Sequence, residues 1–140
     1  MLKHTVIFIL LTLLLSCGQN RPLIDYEPKS SQEQALKNVL LDFQEGVTHK
    51  DCKKVENLIH EKASIMIGRD RQIISKAEYA EVLPERLAEN SYIALGMPRM
   101  TVSGDKAEVK IYVTRGENNF LMTFSMKSEN NKWYILAWEY

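Results

Sequence analysis

The chain is poor in the residues that usually announce a chemistry. It holds two cysteines, Cys17 and Cys52, in 140 residues, too few for the disulfide framework of a small secreted scaffold. None of its three histidines stands at His-x-x-x-His spacing with another, and no Cys-x-x-Cys pair occurs; no metal site and no cofactor is expected. Neither sign of charge predominates, with 18 Lys+Arg against 18 Asp+Glu. Without a basic excess the chain lacks the electrostatic footprint of a nucleic-acid binder. Its six glycines form no Gly-x-Ser-x-Gly elbow and no phosphate-cradling loop, which removes the serine-hydrolase and nucleotide-binding readings. What remains, 45% hydrophobic and 26% charged residues, is the composition of one globular domain rather than of a disordered tail.

There is also no apolar run long enough to cross a bilayer as a helix. The longest extends from Val6 to Leu15 and is interrupted only by Thr12; as a helix it reaches roughly 15 Å, half of the roughly 30 Å hydrocarbon core. A basic start at Lys3, a short apolar stretch and a small residue at its end make residues 1–16 an export signal. Leu14-Leu15-Ser16-Cys17 resembles the bacterial lipobox. That resemblance implies that Cys17 receives a diacylglyceryl group and becomes the first residue of the mature protein, with the membrane as its partner through two or three acyl chains. The expected location is therefore the cell envelope. Gly18 in place of an aspartate favours the outer membrane, facing the periplasm, in a Gram-negative cell. Residues 17–30, with Pro22 and Pro28 and no periodicity, read as a lipidated tether.

From Ser31 onward the pattern is that of a folded domain, residues 31–140. Ser30 or Ser31 offers an N-cap, and Ala35, Leu36, Val39, Leu40, Phe43 and Val47 recur at helical spacing. A shorter helix is predicted from Asp51 to His60, placing His60 at a helix end and Cys52 on an apolar stripe as a small hydrophobe. Short strands are expected at Ser64–Ile67 and Gln72–Ile74, with a turn at Arg69-Asp70-Arg71. Ser75-Lys76-Ala77-Glu78 is a capping-box pattern opening a third helix, which Pro84 should kink or split. Beyond Tyr92 the period changes to two, and Ser103-Gly104-Asp105-Lys106, Gly116-Glu117-Asn118-Asn119 and Glu129-Asn130-Asn131 signal hairpins. The expected architecture is α+β: a four-stranded antiparallel meander, curved into a cone and wrapped on three helices from the N-terminal half.

This order of elements resembles the nuclear-transport-factor-2-like superfamily over about Gln32 to Tyr140. The segments that carry the resemblance are Leu58-Ile59-His60-Glu61-Lys62-Ala63-Ser64, Ser75-Lys76-Ala77-Glu78-Tyr79 and Lys132-Trp133-Tyr134-Ile135. The superfamily's cones often leave an apolar pocket; they include ketosteroid isomerases, SnoaL-like cyclases, scytalone dehydratases and domains that only bind or assemble, so the fold does not select the function. Lys62 stands where pocket-forming relatives commonly carry an aspartate, and Ala137 and Glu139 where several carry pocket-facing histidines.

Three sets of residues are candidates for function. Alternation from Trp133 turns Glu139 toward the pocket, where a carboxylate raised by apolar surroundings acts as a base with Tyr79 or Tyr92 as donor. Phe43, Met66, Met122, Phe124, Met126 and Trp133 are the candidate ligand-pocket lining. On the opposite face, Tyr112, Leu121, Tyr134, Leu136 and Trp138 form a candidate homodimer surface. The resulting expectation is a membrane-anchored lipoprotein whose domain binds or assembles without catalysis. Its rivals are a pocket isomerase, cyclase or dehydratase, a carrier of an apolar small molecule, and a subunit of an envelope or secretion assembly. An open pocket holding a carboxylate favours the enzyme, an open apolar one the carrier, and a filled cone assembly.

Overall fold

The computed structural model describes residues 21–89 and 92–140. The signal peptide, the lipobox and Cys17 lie outside the described residues.

The described chain begins with a single 3-10 turn, Leu23–Asp25. Helix α1, Ser31–Thr48, follows, then α2, Cys52–Asn57. Strands β1 (Ile59–Ile67) and β2 (Gln72–Ser75) make a hairpin, and α3 spans Lys76–Glu89. Strands β3 (Ala94–Ser103), β4 (Lys106–Arg115), β5 (Asn118–Glu129) and β6 (Lys132–Glu139) form the expected meander. The sheet has six strands, the meander and the two expected short strands, in the order β2-β1-β6-β5-β4-β3. The β1–β2 hairpin adds to the meander through a parallel pairing of β1 with β6. The sheet is curved and unclosed, and with the helices it makes the α+β cone.

Local chemistry sets the helix starts as expected. The Ser30 hydroxyl accepts from the Glu33 N–H at 3.1 Å, and Asp51 accepts from the Lys54 N–H at 3.0 Å. Ser75 and Glu78 satisfy each other's backbone N–H at 3.2 and 2.8 Å, a closed capping box. The hairpin turns likewise fall where their residues demand. Asn130 and Asn131 both take positive φ, 53° and 61°, the geometry that lets a two-residue turn follow the strand twist.

Four expectations are corrected. The second helix ends at Asn57, not His60. The Ile135 N–H donates to the Leu58 carbonyl at 2.8 Å, so the chain is captured by the sheet there and His60 becomes a strand residue. Helix α3 is not split at Pro84, which sits exposed within its span. Residues 21–30 are not a free tether. Leu23 is completely buried, and the Lys37 ammonium donates to the Ile24 and Tyr26 carbonyls at 2.8 and 2.7 Å. The Tyr26 hydroxyl donates to Glu33 at 2.7 Å, and the folded unit therefore starts at Arg21. The buried core runs from Leu23 to Trp138, so residues 21–140 hold all of it and are expected to fold as one unit.

The fourth correction concerns β6. Trp133 and Ile135 are buried as alternation predicts, but a bulge follows, opposite Ser125 and Met126 of β5. The extra residue inverts the phase. Trp138 turns inward, only 7% exposed, and Glu139 turns out into solvent. The Trp138 indole packs against Phe43 of α1, Tyr79 of α3 and Phe124 of β5 at centroid distances of 5.6, 5.3 and 6.1 Å. Its N–H donates to the Met66 carbonyl at 2.8 Å. One residue thus ties both long helices to three strands.

Candidate functional site

At the end of the cone where β6 bends, the core does not fill its space. A cavity of about 370 Å3 remains between α1, α3 and the sheet, within the size range of small-molecule sites. Its inner wall is apolar, with Phe43 and Val47 from α1, Leu95 from β3, Val113 from β4 and Met122 from β5. Trp138 and Tyr140 close one side because the bulge in β6 aims them there. The Tyr140 hydroxyl donates to the Gly68 carbonyl at 2.7 Å and its ring meets Phe120 at 6.0 Å, which holds the rim in place.

The polar groups of this cavity are all hydrogen-bond donors or neutral. Arg69 reaches it from the β1–β2 turn, Arg86 from the last turn of α3 and Arg115 from the end of β4. No aspartate or glutamate lines it among the described residues. Tyr79, 5% exposed, presents a hydroxyl that makes no hydrogen bond to a described residue. Burial pushes its pKa up to about 12, against the opposing pull of Arg86 and Arg115. The Arg115 guanidinium is pushed below its ordinary value, first by desolvation and then by the like charge of Arg86.

The structure sorts the sequence candidates. Phe43, Met66 and Met122 line the cavity; Phe124, Met126 and Trp133 are packed core instead. Of the acid–base set, Tyr79 lines the cavity, whereas Glu139 faces solvent and Tyr92 is 54% exposed and outside it. The carboxylate-in-the-pocket expectation is overturned by the β6 bulge. Trp138 leaves the dimer-face set for the cavity wall; Tyr112 and Leu121 stay exposed as a cross-strand pair, and Tyr134 and Leu136 are half-buried. The three arginines were missed. Their signal was present in part, since each stands beside a turn or helix end, but nothing local says that those ends converge.

A second, polar concavity lies at the other end of the sheet, between Asn57, Lys62, Lys76 and the β5–β6 turn. His60 is buried there: its Nδ1 accepts from the Lys62 N–H at 3.1 Å, leaving the ring proton on Nε2, which donates to Glu129. That bond holds the Glu129 carboxyl below its ordinary value. Among the described residues no group of three or more His, Cys, Asp or Glu side chains converges.

The fold and its cavity define a pocketed cone domain of the nuclear-transport-factor-2-like type. Residues 31–140 match the model of the family described as "Putative lumazine-binding", and the chain belongs to that family. Comparison with curated proteins gives no match. Among solved structures, the chain is similar to an NTF2-like protein of unknown function from Shewanella baltica at 15% identity. That match covers 81% of this chain and 97% of the other, with a TM-score of 0.64. An NTF2-like protein from Cytophaga hutchinsonii matches at 12% identity over 78% and 96% of the chains, TM-score 0.67. A protein from Shewanella frigidimarina described as a "putative ketosteroid isomerase" matches at 17% identity over 75% and 94%, TM-score 0.62. At these identities the likeness is one of fold.

Proposed function

We propose that this domain binds a small molecule without transforming it, on a lipoprotein anchored to the cell envelope through Cys17. The observation that carries the binding reading is the cavity at the β6 bulge, apolar inside and free of carboxylates among its described residues. An acid–base isomerase or dehydratase needs a group that takes a proton at the reacting carbon. Here the groups offered are guanidiniums and a phenol whose pKa is pushed to about 12. Neither accepts a proton at neutral pH.

The family description suggests one flat ligand, lumazine, a pteridine with two ring carbonyls. The aromatic walls at Phe43, Phe120 and Trp138 suit a flat ring, and the guanidiniums donate to carbonyl oxygens. Titration of residues 21–140 with the uncharged dye phenylnaphthylamine, and with lumazine, tests the binding reading. Saturable binding of either, weakened by Met122→Trp filling the cavity, is expected. Absence of both, with no small molecule retained in native mass spectrometry, would reject it.

The envelope location rests on the lipobox-like segment alone. The same proposal includes a homodimer through the outer sheet face, where Tyr112 and Leu121, 51% and 46% exposed, sit opposite one another.

A further inference from the structure

The cavity's polar groups are unusual in having one sign only. Three cationic side chains reach it from three separate elements: the β1–β2 turn, the last turn of α3 and the end of β4. Among the described residues none of the three makes a salt bridge. Some lysines elsewhere have a carboxylate partner, Lys54 with Glu45 at 2.9 Å, Lys76 with Glu61 at 2.5 Å and Lys110 with Glu108 at 3.5 Å, whereas the three cavity arginines converge with none beside them among the described residues. Asp70 shares the turn with Arg69, but its carboxylate folds over the Gly68 backbone and does not line the cavity.

Crowding like charges is unfavourable unless something of opposite sign joins them. Arg86, half-buried, is close enough to the exposed Arg115 for its charge to act on the other guanidinium. Arginine remains cationic in such a setting and offers planar, bidentate donation to carboxylate or phosphate oxygens. Tyr79, which lines the same cavity, adds its hydroxyl as a fourth donor. Below these groups the wall is aromatic and aliphatic, from Phe43 through Met122 to Trp138.

We propose that the cavity holds an amphipathic anion, its carboxylate, phosphate or sulfonate group clasped by Arg69, Arg86 and Arg115 and its apolar or aromatic body seated against Phe43, Met122 and Trp138. The proposal rests on the reading of this cavity as a ligand site and adds the charge and shape of the ligand. Clasping the anion returns to the arginines the counter-charge that the chain itself withholds, and the apolar wall gives the body a place that water does not.

The test uses two dyes that differ in one sulfonate group: anionic anilinonaphthalene sulfonate and uncharged phenylnaphthylamine. Residues 21–140 are expected to bind both competitively, the anion about tenfold tighter at low ionic strength, since hydrogen bonds to a charged group carry that order of advantage. Added salt should narrow the ratio. Arg86→Gln with Arg115→Gln should bring the ratio toward one, whereas Arg99→Gln, an exposed arginine outside the cavity, should keep it. If the double variant does not fold, Arg69→Gln on the exposed turn should still lower the ratio several-fold. Binding of the neutral dye with no preference for the anion overturns the anion site and leaves the cavity reading standing. A preference that survives every cavity arginine variant overturns it as well. Binding of neither dye overturns both.

Discussion

At the scale of single residues, Trp138 separates what alternation shows from what it hides. Read by period two from Trp133, it faces outward and Glu139 faces the pocket; in the fold the two have exchanged sides. A slip of one residue moves a whole strand segment to the other face, and Leu136-Ala137 carries no glycine or turn residue to mark the bulge. Alternation was reliable on β4, where Ala107, Val109, Ile111 and Val113 are all buried, because that strand pairs with β5 without a break. Trp138→Ala should destabilise residues 21–140 by about 3–5 kcal/mol in urea unfolding, as removal of a large buried aromatic does. Trp138→Glu, harmless on an outer face, is expected to prevent folding; a folded variant with native near-ultraviolet dichroism would contradict the inward orientation.

Residue-scale chemistry also sets an acid dependence. The Glu129 carboxyl is held below its ordinary value chiefly by the hydrogen bond from His60. A depressed carboxyl stabilises the fold above the unfolded carboxylate range and loses that contribution as pH falls through its folded pKa. The difference in urea midpoint between wild type and Glu129→Gln should therefore be present near pH 7 and close as pH falls below the ordinary carboxylate range. A difference that is constant across this range would show that the carboxylate charge is not involved.

At the scale of elements, helix starts were legible because their causes lie within four residues. Ser30, Asp51 and Ser75 each accept the backbone bond that their position predicts. Ends that depend on distant partners were not. Helix α2 stops where β6 takes the Leu58 carbonyl, and residues 21–30 order because Leu23 finds the core and Lys37 finds two carbonyls. Prolines and the lack of periodicity looked like a linker, and tertiary contact overrode them. Removing residues 21–30 should lower stability by roughly 2–4 kcal/mol, from exposing the apolar surface that Leu23 covers and unpairing Lys37. A chain starting at Ser31 that melts with the same midpoint as one starting at Arg21 would show that the segment adds nothing.

At the scale of the whole molecule, the curved sheet and its helices were readable from the order and spacing of the elements, but the cavity was not. Its arginines stand at positions 69, 86 and 115, and only the folded cone makes them neighbours. The outer face offers a further test. Sedimentation of residues 21–140 should show a dimer at micromolar concentration, and Tyr112→Glu with Leu121→Glu should make it monomeric without loss of helical dichroism. A wild-type monomer at high micromolar concentration would reject that pairing. For the anchor, Cys17→Ala in the full chain should release the protein from the membrane fraction or leave it as unprocessed precursor.

The parallel pairing of β1 with β6 sets the schedule on which this molecule is made. The strand beginning at Ile59 has its central neighbour in residues 132–139, so the middle of the sheet has a gap until nearly the whole domain has been synthesised. Contacts that distant in sequence form late and slowly. A ribosome-bound chain stopped before Trp133 has its helices and the β3–β5 ribbon but no wall for the aromatic cluster, and should remain sensitive to protease. Such a chain stays open through most of its synthesis, the condition in which a polypeptide can still be threaded through a narrow pore.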